Sequence, residues 1–465
     1  MKQKQIVRML AFVAIMLLLM PLRSMAVKIP VAILRTNADG KTKTLTFTYA
    51  ERPKVFARRG QNGVHKILQL EHTVYGVPLI YPTWISINKD GTAKKNQPIT
   101  NIVFNKSFAS FRPVSTCNWF PLDNLISIKG IENLNTSNVK SMACMFENCK
   151  LLTSIDLSGF NTSNVEYMLN MFEGCSSLES LDLSGFNTSN VKDMGGMFDG
   201  CSSLESLDLS GFNTSNVESL VGMFEGCSSL KNIDLSGFNT SNVIDMTGMF
   251  SCCSSLTSID LSGFNTSNVE MMFDMFKGCS SLESIDLSGF NNSNVKRIDG
   301  MFEGCSSLES LDLSGFNTAN VNTISSMFKG CSKLSVLNIS NLNIPNIFRN
   351  SLNFYNKHLS SLPESSRIEN ANQDCKDIFQ GCSSLSTLYI GHNDFDNANE
   401  LFEKDNLFNG IGTSDRPCRL VVDSNFDKSV LADHIYTTSG EDNKPIYNWL
   451  GGYFTLDNSS ADARP

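Results

Sequence analysis

"MFEGCSSLESLDLSGFNTSNV", residues 171–191, returns almost letter for letter every 26 residues. Its Cys175 is followed by Cys201, Cys227, Cys253, Cys279, Cys305 and Cys331, and preceded by Cys149. A fixed period of this length means a solenoid, propeller or array. Each unit reads L-x-x-L-x-L-x-x-F-x-x-x-x-V-x-x-M-x-x-M-F-x-G-C, as in Leu178, Leu181, Leu183, Phe186, Val191, Met194, Met197, Phe198 and Cys201. The two-residue spacing of Leu181 and Leu183 predicts a short strand with both side chains inward. Val191, Met194, Met197 and Phe198 are spaced as on one face of a short helix, with Asn190 as its N-cap and Gly200 as its stop. One such coil leaves most of its apolar face wet, so stacking must complete the burial. About eight regular coils follow one another, each adding ~4.8 Å to the stack.

Glycine keeps the same register. Gly159, Gly185, Gly211, Gly237, Gly263, Gly289 and Gly315 form one row, replaced by Asn133 and Asn341 in the flanking coils. Asparagine is the usual non-glycine visitor to left-handed backbone, so this row is expected to need positive φ. A second row (Gly174, Gly200, Gly226, Gly278, Gly304, Gly330) starts with Asn148 and breaks at Cys252.

The cysteines admit three readings. Zinc wants paired cysteines or nearby histidines, yet the array has one cysteine per coil, and His65, His72, His358, His392 and His434 all lie outside it. Disulfides need side chains that face each other, whereas stacked identical residues point the same way. A ladder of buried free thiols, packing as small hydrophobes, is therefore expected. Cys117, Cys144, Cys375, Cys382 and Cys418 are off the ruler, and a bridge among them stays open.

Between the inward leucines stands an aspartate row: Asp156, Asp182, Asp208, Asp234, Asp260, Asp286 and Asp312. Alternation turns it outward. Ser180, Ser184, Ser206, Ser210, Ser236, Ser262, Ser288 and Ser314 flank it, making a Ser-Asp-Ser stripe on the expected concave face. Like charges ~5 Å apart repel by roughly 0.8 kcal/mol per pair in water. Serine hydrogen bonds, raised pKa values and solvent can offset that, or a cation or basic partner can. The stripe is the candidate ligand-facing surface. The asparagine rows that begin at Asn161 and Asn164 read as turn residues whose amides satisfy coil backbone groups. "NTS" also has the form of an N-glycosylation acceptor.

The L-x-x-L-x-L core resembles a leucine-rich repeat. The segment 171–191 is similar to the repeats of BspA-like bacterial surface proteins, with Phe172, Cys175 and Leu178 matching their phenylalanine-x-x-cysteine-x-x-leucine signature. One departure is that the asparagine expected after the strand is replaced by Phe186 and its row, with Asn187 displaced by one. The resemblance covers residues 131–342 and returns at "DIFQGCSSLSTLYIG", 377–391. It implies a leucine-rich-repeat-like solenoid, an extracellular and non-enzymatic protein, and adhesion to host proteins or cells.

The flanks differ in character. Residues 1–26, "MKQKQIVRMLAFVAIMLLLMPLRSMA", have a basic start, an apolar run and a Ser24-Met25-Ala26 cleavage site, the pattern of a secretory signal peptide. No later segment has transmembrane length. Residues 27–115 read as a β-rich N-terminal cap, with an Asp39-Gly40 turn between two strands and "ITNIVF" leading into the array. The solenoid is placed at 116–342. Residues 343–376 break the period as an insertion or decayed coil, and 343–465 as a whole is expected to end in a mixed C-terminal cap containing "CRLVV" and an aromatic tail. Trp84, Trp119 and Trp449 all lie outside the regular coils. The net charge of −8 is uneven: residues 27–130 are basic, with Arg58-Arg59 and Lys94-Lys95, and the array is acidic. An acidic body argues against nucleic acid. No Ser-His-acid set, H-E-x-x-H or phosphate-cradling loop is readable, so neither an enzyme nor a cofactor is expected. The expectation is a secreted or cell-surface adhesin binding host extracellular matrix or cell-surface proteins; the alternative is a structural surface-layer or glycan-binding protein.

Overall fold

In a computed structural model the chain is described for residues 28–51, 64–66, 72–74, 77–79, 98–359, 361–391, 407–422, 426, 431, 434–439, 444–450 and 452–457. The signal-peptide reading of residues 1–26, Trp84, His392 and the basic pairs at Arg58-Arg59 and Lys94-Lys95 lie outside the described residues.

The chain enters through a hairpin. β1 (Lys28–Thr36) pairs antiparallel with β2 (Lys43–Glu51). The Asp39 carboxylate accepts from Lys41 N and Thr42 N at 2.9 Å, which holds the turn as read from Asp39-Gly40. β3 (Val64–Lys66) joins β1, while β4 (His72–Val74) and β5 (Val77–Leu79) form a separate pair. β6 (Ile99–Phe104) lies parallel to β2, and β7 (Ser127–Lys129) parallel to β6.

From there the chain winds into stacked coils, a repeat solenoid. Isolated parallel bridges run without a break through Ser115, Ser141, Tyr167, Asp193, Ser219, Asp245, Met271, Arg297 and Thr323. In the Val-to-Cys segment alternate N–H groups have different partners. Those of Met194, Gly196, Phe198 and Gly200 donate to the next coil, at Ser219, Val221, Met223 and Glu225. Those of Met197, Asp199 and Cys201 turn back three residues. The segment expected to be a helix is thus a run of turns hydrogen-bonded between coils. Two residues per coil take positive φ to make this possible: Gly196 (59°) and Gly200 (68°), with their equivalents.

That finding corrects the glycine reading. The row at Gly185 does not have positive φ, and a Cβ on Gly185 would meet nothing. The second row does, and its irregular members take the same geometry, Asn148 at 58° and Cys252 at 60°. Cys252 therefore leaves the coil undistorted: its N–H still reaches Lys277 O at 2.6 Å. The row at Gly196 is a third, unforeseen one, filled elsewhere by Asn170, Asp274 and Ser326.

The Leu-x-Leu strand is also rarer than expected. It is regular only late in the stack, at β8 (Ser310–Asp312), β9 (Val336–Asn338) and β10 (Thr387–Gly391). The turn that follows is the same in both kinds of coil: Ser184 N and Ser314 N bond to the aspartate two residues before, and Phe186 N and Phe316 N turn back to Leu183 O and Leu313 O.

The stack continues past residue 342. Residues 343–373 loop out as α1 (Ile344–His358) and α2 (Glu364–Gln373). The next coil then resumes, with Phe328 N bonding Ile378 O at 2.9 Å and β10 lying parallel on β9. β11 (Cys418–Val422) and β14 (Gly452–Asp457) extend the parallel sheet. β13 (Lys444–Trp449) and β12 (Ile435–Ser439) close it antiparallel.

One apolar core runs from end to end. Phe146, Phe172, Phe198, Phe224, Phe250, Phe276, Phe302 and Phe328 stack face to face, centroids 5.6–6.1 Å apart. The ladder is anchored at one end by Phe47, Phe104, Phe108, Trp119 and Phe120 and at the other by Phe408, Trp449 and Phe454. Beside it each ladder thiol donates to the preceding coil's phenylalanine carbonyl, as Cys201 does to Phe172 O at 3.3 Å. The ladder thiols are buried and free, and the off-ruler thiols of Cys144, Cys382 and Cys418 are free as well. Burial pushes the Cys201 and Cys279 thiols up to about 12.

A buried threonine clamps each coil to the next. Thr188 Oγ1 donates to Asn213 O at 3.0 Å and accepts from Asn213 N at 2.8 Å. Thr136, Thr162, Thr214, Thr240 and Thr266 do the same. At Asn292 the clamp fails: its Oδ1 and Nδ2 are buried without a partner. Asn292→Thr is expected to stabilise the fold by about 1–3 kcal/mol, and Thr214→Val, which strips both bonds, to cost about 2–4 kcal/mol. Urea unfolding of the two variants against the parent checks both signs.

Candidate functional site

Three surfaces of the coil merit comparison. The first is the predicted Ser-Asp-Ser stripe. Asp182, Asp208, Asp234, Asp260 and Asp286 are exposed, as are Ser180, Ser184, Ser206, Ser210, Ser236, Ser262 and Ser288, while Ser314 at the end of the row is half-buried. Each aspartate accepts the N–H two residues on, Asp208 from Ser210 at 2.9 Å and Asp312 from Ser314 at 2.8 Å. The sequence suggests raised pKa values here, and the shift is the reverse. The Ser184 N–H and hydroxyl hold Asp182 below the usual carboxylate range, and Ser210 does the same for Asp208. Neighbouring aspartates push only weakly upward because water surrounds every one of them. The stripe is thus first a set of turn caps.

The second surface is a groove of about 750 Å³ that crosses five coils. It is lined by Asn190, Asn216, Asn242, Asn268 and Asn294 together with Lys192, Glu218, Ile244 and Glu270. Asn190 is not a helix cap: its Nδ2 donates to Ser163 O in the preceding coil at 2.8 Å, and Asn216 and Asn242 donate likewise at 2.7 Å. The remaining amide N–H and carbonyl oxygen of each side chain face solvent. Lys192 pairs with Glu166 at 3.0 Å and Lys296 with Glu270 at 2.5 Å. Ile244, between them, is 44% exposed.

The third surface is built by the residues just after the valine. Tyr167, Asp193, Ser219, Asp245, Met271 and Arg297 form the bridge row, and two residues further stand Leu169, Gly195, Val221, Thr247, Phe273 and Asp299. Arg297 lies 4.1 Å over the Phe273 ring and pairs through two bonds with Asp299. Where α1 leaves the stack, Ser351 donates to the Asp374 carboxylate, which burial holds above its usual range. Along one edge Glu147, Glu173, Asp199 and Glu225 stack in successive coils. Further on, Lys277 takes this position and pairs with Glu303 at 3.0 Å. Among the described residues no group of three or more His, Cys, Asp or Glu side chains could hold a metal ion, and no helix is long and apolar enough to cross a membrane.

The family described as "Mycoplasma protein of unknown function, DUF285" matches residues 117–232, 203–306 and 257–366, together more than half of the chain. The chain belongs to that family. No curated protein matches it. The matches fall mainly on the coils, the third running on into the α1–α2 insertion, so membership of the DUF285 family is carried chiefly by the repeat that forms all three surfaces.

The sequence reading missed the third surface, although its signal was present. From Val165 to Asn320 the Asp-Leu-Ser-Gly-Phe-Asn part of the coil is unchanged in every copy, while the position of Leu169 carries a different residue each time. Exposure alone does not explain that contrast. The variable row is half-buried, with Gly195 buried, whereas Gly185 and Ser180 are exposed and yet their rows stay nearly uniform.

The stacked carboxylates make pH a lever. Burial, then the charges of Glu147, Asp199 and Glu225, push Glu173 up to about 7, and burial raises Glu147, Asp199 and Glu225 as well. A carboxyl whose folded value is raised destabilises the fold while ionised, and that penalty fades as pH falls through the folded value toward the unfolded one. The melting midpoint is therefore expected to rise between pH 8 and pH 5. Glu173→Gln should raise the midpoint at pH 8 and flatten that rise; a thermal melt series over this range reads both effects.

Proposed function

We propose that this chain is an exported, surface-displayed interaction protein of leucine-rich-repeat, BspA-like type, its end sheets serving as caps, and that it acts as an adhesin for host extracellular proteins or cells. The observation that carries this reading is the concentration of side-chain diversity on one side of an otherwise uniform coil. A uniform scaffold with one diversified face can present a specific, extended surface without altering its core. Phe273 and Arg297 stand out on that face as an aromatic and an arginine, the residue types that dominate interface energy. The apolar run and cleavage pattern of residues 1–26 support export. Nothing in the chemistry of the three surfaces calls for a catalytic role.

The test is a binding screen of the chain against immobilised matrix proteins and host-cell surfaces, followed by substitution. Phe273→Ala with Arg297→Ala is expected to weaken a captured ligand by about tenfold or more, with the fold checked by circular dichroism; unchanged affinity would remove this face from the reading. Asp208→Asn with Asp234→Asn keeps an acceptor for each turn. Lost binding in that variant assigns the acidic stripe to ligand contact, and full binding excludes it. The glycan-binding alternative is favoured by a separate observation, the asparagine-lined groove.

A further inference from the structure

We propose that the groove beside Ile244 binds an uncharged, extended, 1,4-linked polysaccharide chain, one sugar unit per coil. The inference starts from the groove's period. Asn190, Asn216, Asn242, Asn268 and Asn294 repeat once per coil along the stack, so their amides recur at roughly the spacing of parallel strands, ~4.8 Å. A ligand lying along this line meets the same group at each step. An extended peptide advances by about 3.3 Å per residue and falls out of phase within two coils. A β-1,4-linked pyranose advances by nearly one coil spacing per unit with successive rings turned over, so each coil meets one ring and every second coil meets the same edge.

The chemistry agrees with the period. One N–H of each asparagine is spent on the preceding coil, as in Asn242 to Ser215 O and Asn268 to Ser241 O, both at 2.7 Å. That bond fixes the amide plane, and it leaves one donor and one acceptor turned to solvent. Such a pair suits a sugar hydroxyl, which both gives and takes a hydrogen bond. The amides are held before any ligand arrives, so little ordering cost falls on binding. Ile244, 44% exposed among these polar walls, offers an apolar contact for the C–H face of a ring.

Charge selects a neutral chain. Lys192 is neutralised by Glu166, and Glu270 by Lys296. Glu218 has no ion pair among the described residues, so the groove carries a residual negative charge that repels a polyanionic glycan. This site uses no residue of the Phe273–Arg297 face, so either surface can fail its test without touching the other.

The experiment is calorimetric titration of the chain with cello-oligosaccharides and chito-oligosaccharides of two to six units, with heparin fragments of matched length alongside. At least one neutral series is expected to bind, its affinity climbing with each unit up to five and levelling at six. Ile244→Arg, which fills the groove without removing any hydrogen bond of the coil, should lower the affinity for the five-unit chain at least tenfold and leave the thermal midpoint in place. Three results would each overturn the proposal: no binding of either neutral series at millimolar concentration, an affinity independent of chain length, or an Ile244→Arg variant that binds as well as the parent. Tighter binding of heparin than of the neutral chains would overturn it too.

Discussion

The molecule depends on how backbone N–H groups are divided between coils. In the stretch from Met194 to Cys201, every second N–H crosses to the next coil and the intervening ones close turns within their own. A helix would have kept all of them inside, and a plain strand would have sent alternate ones to each neighbour. The arrangement found does both at once, and it works only if the chain reverses its twist twice per coil. Gly196 and Gly200 make those reversals, and residues that tolerate the left-handed region make them where glycine is missing. A substitution there that forbids positive φ would break the contact between coils rather than a local turn.

Side chains complete what the backbone leaves open. The threonine clamp, the asparagine amides and the ladder thiols all bond to main chain one coil away, not to other side chains. Polar atoms are buried here with partners, and so cost little. The consequence is a coil whose uniform residues are fully committed to the fold. The aspartates of the stripe belong to this group as well, since each holds its own turn. What varies is the run after the valine, where Asp193 and Asp245 cap turns but the other coils use different side chains, together with the outward half of each asparagine amide. Those are the surfaces on which recognition can be built without disturbing the stack.

Much of this was legible from the period alone. Repetition places each residue on a rung, and inward Leu178, Leu183, Val191, Met194, Phe198 and Cys201 are buried as their spacing required. The buried thiols follow from identical side chains pointing the same way. Three things were not legible, each for a physical reason. The spacing of Val191, Met194, Met197 and Phe198 fits a helix face, but it fits successive turns equally well, because both return the chain about every three to four residues. The asparagines that replace glycine in the Gly185 row suggest left-handed backbone there, whereas the geometry belongs to the neighbouring rows. Mutual repulsion dominates a reading of the aspartates by spacing alone, whereas a nearby N–H in open water outweighs a like charge one coil away. The insertion at 343–376 shows as a break in period, but its two helices and the return of the coil at Ile378 depend on contacts that no local pattern announces.

The missing clamp at Asn292 also gives the stack a grain. Because each coil touches only its neighbours, force applied to the two ends is carried in series through every junction. A tether at one end and a bound ligand at the other would load the junction between Asn292 and Asn317 no less than the rest, with fewer bonds to resist. The array would then part there first, as a mechanical fuse that yields on one side of the α1–α2 insertion while the coils before it hold their shape.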